Sequence, residues 1–131
     1  MNSRIEHIIE EITDQYLEKD RYNRPWIIGF SGGKDSTVTS DLVTRAFSTN
    51  SITHIFGDTT LEFPSTIEYA RRYRDTHPFA IFQTAKNEEQ DFYDVCYDIG
   101  PPARMMRWCC SMLKLDQSLE LLTACIEANK Y

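Results

Sequence analysis

Three short stretches of this sequence concentrate residue types that handle phosphate-like anions. The first is Ser31-Gly32-Gly33-Lys34-Asp35-Ser36, which follows the apolar run Trp26 to Phe30 directly. The chain has five glycines, and Gly29, Gly32 and Gly33 fall within five residues of one another. Glycines reach positive φ and let successive backbone N–H groups converge on an anion. Lys34 adds a full positive charge, and the Ser31 and Ser36 hydroxyls can donate to phosphate oxygens. Asp35 would repel phosphate unless it faces a metal ion or orients a neighbour. The second stretch is Gly57-Asp58-Thr59-Thr60-Leu61-Glu62-Phe63-Pro64, where Asp58 offers a carboxylate for ribose hydroxyls or Mg²⁺. The third runs from Gly100 to Lys114 and carries Arg104, Arg107 and Lys114 with no acidic residue. Guanidinium forks bind phosphate or sulfate in a bidentate manner, and a lysine adds a point charge. Cys109 and Cys110 stand side by side in the same stretch.

The pattern around these stretches predicts the elements that hold them. Residues 4 to 17 place Ile5, Ile8, Ile9, Ile12, Tyr16 and Leu17 on one helical face. Trp26 to Phe30 reads as a buried strand because glycines follow at once, and Ser36 to Phe47 as the next helix. Ile52 to Gly57 reads as a second strand, and Pro64 suits the first turn of a helix ending near Arg74. Phe79 to Gln83 reads as a third strand, followed by a helix over roughly Glu88 to Tyr97. A Gly-Pro-Pro loop then leads to a last helix, about Trp108 to Asn129. Strands alternating with helices imply right-handed crossovers and an α/β three-layer sandwich with a parallel sheet. In such sheets ligands sit beyond the C-terminal strand ends, where the first two stretches fall.

The 131 residues suit one domain, residues 1–131, and 41% hydrophobic with 26% charged residues is ordinary for a globular protein. No apolar run approaches the ~18 residues of a membrane span, and the N-terminus mixes charge with apolar residues, unlike a secretory signal. Four cysteines at these spacings do not make a disulfide scaffold, which suggests reduced thiols and a cytoplasmic setting. A net charge of −6 argues against a general nucleic-acid coat and leaves any such contact local or made by a partner.

The glycine stretch is not a Walker loop, which would need glycine at Ile28 and a hydroxyl at Asp35, and no G-x-G-x-x-G occurs. It resembles instead the PP-loop of the adenine nucleotide α-hydrolase-like superfamily. The stretch from Gly57 to Tyr73 and the run Arg107-Trp108-Cys109-Cys110 with Lys114 are similar to the phosphoadenosine phosphosulfate (PAPS) reductase family. The Arg107-Trp108-Cys109-Cys110 run with Lys114 also resembles the family's sulfur-transfer relatives, including the ATP pyrophosphatase subunit of DNA phosphorothioation systems. This resemblance covers about Ile27 to Leu115. It implies that Ser31, Gly32, Gly33, Lys34, Asp35, Ser36, Asp58 and Thr59 bind an adenine nucleotide, either ATP with Mg²⁺ or PAPS or its 3′-dephospho form, APS. Lys34 and Asp35 would act in catalysis, and Arg104, Arg107 and Lys114 would bind the terminal anionic group. The implied chemistry is sulfur-group transfer or cleavage between the α and β phosphates of ATP.

Departures from the family pattern bear on the same expectation. Relatives with the double cysteine often carry a [4Fe–4S] cluster, for which Cys109 and Cys110 would be ligands, but no C-x-x-C completes the set. The family fold implies five parallel strands, of which three are read here, and the reductase's C-terminal cysteine tail has no counterpart. The chain therefore reads as a PP-loop domain lacking its C-terminal part, with a homodimer or partner polypeptide completing the sheet. The alternatives are a non-catalytic nucleotide-binding or assembly module, or a component of a nucleic-acid sulfur-modification system acting by phosphorothioation or thiolation.

Overall fold

Short β-branched and aromatic runs suit strands that can be buried on both faces, and the middle run is the most continuously buried here. The computed structural model describes residues 3–20, 24–47, 52–78 and 80–128. Within them β1 (Ile27–Phe30), β2 (Thr53–Asp58) and β3 (Ile81–Lys86) form a parallel sheet in the order β1-β2-β3. Ile27 stands opposite Thr53 and Phe30 opposite Phe56, while Thr53 pairs with Ile81 and Asp58 with Lys86. The central strand buries His54, Ile55 and Phe56 in succession, as a strand covered on both faces must.

Helices α2 (Lys34–Phe47) and α3 (Pro64–Thr76) cover one face, with α1 (Ser3–Ile12) packed along α2. Val43 of α2 packs on Ile28 and Ile52, and Ala70 and Tyr73 of α3 pack on Phe30 and Phe56. The opposite face receives α4 (Phe92–Ile99), the short α5 (Trp108–Cys110) and α6 (Asp116–Ala128). Val95, Trp108 and Leu113 form the core of that layer, and α6 packs on β2 and β3. The three-layer α/β sandwich with a parallel sheet is the expected one, with three strands among the described residues.

Several boundaries differ from the sequence reading, each for a local reason. The helix after the glycine stretch starts at Lys34 rather than Ser36, since the Thr37 amide already donates to the Gly33 carbonyl at 3.1 Å. The third strand runs to Lys86 because its register follows β2, and Phe79 lies outside the described residues. The next helix begins after Asp91 rather than at Glu88. Asn87 Oδ1 accepts the Glu89 and Gln90 amides in a turn, and Asp91 and Asp94 then form a reciprocal capping box. Between α5 and α6 the helix widens into a π-turn over Ser111–Leu115, and a second π-turn, Thr13–Leu17, extends α1.

One polar network lies inside the α2–α3 face. His54 is fully buried, its Nδ1–H donates to the Ile52 carbonyl at 3.0 Å, and its Nε2 accepts the Ser40 hydroxyl at 2.6 Å. The Tyr73 hydroxyl in turn donates to Ser40 Oγ at 2.9 Å. Every group has a partner, so the cost of burying it is offset. Burial pushes the His54 pKa below its ordinary 6.5, partly opposed by the Ile52 carbonyl and reinforced by nearby His77. The unfolded chain therefore binds a proton below pH 6.5 that the folded one refuses, so stability is full above 6.5 and falls as pH drops through that range. Urea denaturation at about pH 7.5 and about pH 5.5 should show this loss. His54→Gln should be less stable throughout yet show a shallower pH slope, and an unchanged slope would refute the account.

Candidate functional site

The glycine stretch forms the turn from β1 into α2, and its backbone requires glycine at one position. Gly32 has φ of 75°, and a Cβ there would stand 3.2 Å from Thr66 Cγ2 of α3. Its hydroxyls bond inward. Ser36 Oγ donates to the Gly33 carbonyl at 3.1 Å and lies 3.1 Å from Ser31 Oγ, which accepts the Gly33 amide at 3.4 Å. Thr37 donates to the same carbonyl at 2.8 Å and meets the Tyr69 hydroxyl of α3 at 3.2 Å. Lys34 and Asp35 project into solvent from the first turn of α2, their side chains 91% and 92% exposed and 3.7 Å apart. They form an exposed ion pair with each other, a weak tie that leaves both able to meet a ligand at the loop mouth. Thr37, Thr66 and Tyr69 escaped the sequence reading; only Thr37, next to the loop, carried a local signal.

The loop after β2 is locked in a strained shape. Thr60 has φ of 66°, a left-handed conformation that costs a β-branched residue about 1–2 kcal/mol. Three bonds hold it. Asp58 Oδ1 accepts the Thr60 amide at 2.8 Å, Thr60 Oγ1 accepts the Phe92 amide of α4 at 2.8 Å, and Thr59 donates to Glu62 Oε1 at 3.1 Å. Strand alternation then separates neighbouring side chains. Asp58 lines a cleft of about 200 Å³ on the α3 side with Arg71 and Arg74. Gly57 and Glu62 line a larger cavity on the other side.

That larger cavity, about 580 Å³, runs along β1 and β2 on the α6 side, from Ile27 at the start of β1 to Ser31 and Glu62 past the strand ends. Ile27, Gly29, Ile55 and Leu122 make its apolar wall, and Ser31, Glu62, Lys114 and Ser118 its polar one. It exists because α6 packs on β2 and β3 while leaving room over β1. The π-turn Ser111–Leu115 brings the Lys114 side chain over Gly57, with Cγ 3.8 Å from where a glycine Cβ would be. π-turns often occur where a helix serves a site.

The other predicted anion-binding residues lie elsewhere. Ala103 and Met106 exchange backbone bonds in a tight turn that carries Arg104 at its tip, and Arg107 Nη2 points at Cys110 Sγ, 3.7 Å away. Of Arg104, Arg107 and Lys114, the fold brings Lys114 to the cavity with Ser31. Glu62 joins them unforeseen, since its place on the wall depends on the strained loop.

The cysteines do not fit a [4Fe–4S] cluster. Cys96 and Cys109 pack against the Val95–Trp108–Leu113 core, Cys110 faces Arg107, and Cys125 donates to Gln83 Oε1 at 3.7 Å. Among the described residues no three His, Cys, Asp or Glu side chains converge on one point. Mg²⁺ asks for less, one or two carboxylates with the rest of its shell from phosphates and water, and the exposed Asp35 carboxylate suits that role.

Comparisons with known proteins bear on the same region. A family model described as phosphoadenosine phosphosulfate reductase domain matches residues 25–128. Uncharacterized proteins MJ0066 and MJ0973 of Methanocaldococcus jannaschii are 32% identical over 97 residues and 31% identical over 93 residues. These matches cover 74% and 71% of this chain but span 19% and 21% of those proteins. The crystal structure of a PAPS reductase from Candida auris, in a phosphate complex, is similar in fold with a TM-score of 0.57 at 14% identity. That likeness covers 95% of this chain and 63% of the other.

The loop geometry sets one stability expectation. Gly32→Ala should lose about 1–2 kcal/mol from the left-handed backbone alone, with further loss from the Thr66 contact. Gly29→Ala, where a Cβ meets nothing within 4 Å, should cost little or stabilise. Equal denaturation midpoints for the two variants would contradict the strain assigned to Gly32.

Proposed function

The chain belongs to the phosphoadenosine phosphosulfate reductase domain family, and from that premise we propose that it is an adenine-nucleotide-binding domain. The observation that carries the proposal is the 580 Å³ cavity, with Ser31 of the glycine loop on its polar wall and Lys114 on the same wall. The ligand's phosphates meet the loop, where the N–H groups at the start of α2, the Ser31 hydroxyl and Lys34 supply donors, while Ser36 braces the loop through the Gly33 carbonyl. The apolar wall of Ile27, Ile55 and Leu122 receives the base. Lys114 neutralises charge on the outer phosphate or on a sulfate in its place.

Such a site serves reactions at the nucleotide's phosphates. Donors already in place stabilise charge as it moves onto a leaving phosphate, an electrostatic contribution that needs no rearrangement. Cleavage of ATP between the α and β phosphates and transfer of a sulfur group from an adenylyl sulfate both fit that description. Mg²⁺ bound with ATP would neutralise phosphate charge, held on the protein side by Asp35. Asp58 faces the other side of the sheet, and its Oδ1, engaged by the Thr60 amide, shapes the loop that carries Glu62 to the cavity.

Calorimetric titration with ATP and with adenosine 5′-phosphosulfate tests the reading. Lys34→Ala and Lys114→Ala should each weaken binding about tenfold to a hundredfold, the value of one charge-assisted contact. Wild-type affinity in both variants would defeat the assignment. Release of pyrophosphate from ATP, lost in Lys34→Ala, would identify the cleavage branch of the chemistry.

A further inference from the structure

We propose that Tyr69 is a positioning residue for the glycine loop. Acting through Thr37, its hydroxyl holds the Gly33–Lys34 peptide with the N–H turned toward the ligand's phosphates. The inference rests on the adenine-nucleotide reading and adds to it a residue of α3 that itself touches no phosphate.

The hydroxyls behind the loop have one consistent order of donation. The Gly33 carbonyl accepts the Thr37 hydroxyl at 2.8 Å, the Thr37 amide at 3.1 Å and the Ser36 hydroxyl at 3.1 Å. A threonine hydroxyl has one proton, and Thr37 commits its own to that carbonyl. Tyr69 is therefore the donor across the 3.2 Å between its hydroxyl and Thr37 Oγ1. The chain runs from Tyr69 through Thr37 to Gly33, and successive hydroxyls in such a chain polarise and strengthen one another.

At the far end of the chain stands a trans peptide, in which the carbonyl and the following N–H point in opposite directions. With its oxygen held against α2 by three donors, this peptide directs the Lys34 N–H outward from the start of that helix. Turned the other way, it would present an oxygen to the phosphates. Gly32 and Gly33 resist rearrangement little by themselves, since glycine populates many backbone conformations. The loop's bonds between Gly33 and Ser31 and between Ser31 and Ser36 are exposed, so water competes for them. Tyr69 is placed differently. Its ring is partly buried against the Phe30, Phe56, Ala70 and Tyr73 cluster, and its Cδ1 lies 3.8 Å from where a Gly32 Cβ would be. A fixed support on α3 thus stands behind a loop with little rigidity of its own. The loop meets its ligand already ordered, which favours binding.

Calorimetry on the whole chain with ATP and adenosine 5′-phosphosulfate, together with thermal midpoints, tests this role. Tyr69→Phe keeps the ring and removes the donor, and it should weaken both ligands about threefold to tenfold, the range of one neutral hydrogen bond. Thr37→Val should weaken them at least as much, and adding Tyr69→Phe to it should bring no further loss, because the chain is already cut. Thr37→Ser, which keeps the hydroxyl, should bind like the wild type. Tyr73→Phe, one turn along α3, removes a buried hydroxyl bonded to Ser40 instead. It should lower the thermal midpoint and leave both affinities unchanged. Wild-type affinity in Tyr69→Phe would overturn the inference, as would a double variant whose losses multiply or a Tyr73→Phe that weakens binding equally. Those results leave the nucleotide reading standing while Lys34→Ala still weakens binding, whereas a wild-type chain that binds neither ligand defeats both.

Discussion

The in-register pairing of β1 with β2 is the constraint from which the site follows. Because Phe30 stands beside Phe56, the two strands end near one level and their following loops emerge side by side. The same register sorts side chains between faces. Ile28, Phe30, His54 and Phe56 turn toward α2 and α3, while Gly29, Ile55 and Gly57 turn toward the cavity. A slip of one residue would exchange the two sets and bury the cavity wall under the helices. The His54–Ser40–Tyr73 chain gives that register a polar specification as well, since its bonds form at one alignment of β2 against α2 and α3.

Small residues then leave the space that a ligand needs. Gly29 on β1 and Gly57 on β2 present no side chain to the cavity, and Lys114 reaches across the second of them. Gly32 serves a different purpose, allowing α3 to press Thr66 against the loop. The strained Thr60 is the counterpart on the neighbouring loop. Its hydroxyl answers the first amide of α4, so the conformation is held by packing and hydrogen bonds rather than by its own preference. Strain at Thr60 and close approach at Gly32 fall in the two loops that leave the ends of β2 and β1, where shape matters more than local comfort.

The electrostatics are divided in the same spirit. The chain is acidic overall, yet its basic residues fall into separate settings: Lys34 at the loop mouth, Lys114 on the cavity wall, and Arg71 and Arg74 on the other face. Arg104 is displayed at the tip of its turn and Arg107 at a thiol. A cavity bounded by one lysine and one glutamate is nearly neutral, which suits a ligand whose charge is gathered at one end.

The sequence by itself determined the fold class, the strand order of motifs and the glycine loop, because these depend on local periodicity and on conformations that particular residues alone tolerate. Family membership was legible for the same reason, since SGGKDS, the stretch from Gly57 and the RWCC run are contiguous. Element ends were less so: the turn at Asn87 and the capping box at Asp91 compete with helix propensity, and β3 takes its limits from β2. Tertiary structure alone decided which side chains meet. It parted Asp58 from Gly57 across the sheet, sent Lys114 and not Arg104 or Arg107 to the cavity, kept the four cysteines from converging, and brought Glu62 to the wall. Each of those outcomes turns on which face a side chain leaves, a quantity fixed by strand register, a π-turn or one left-handed threonine and written in no single stretch of sequence.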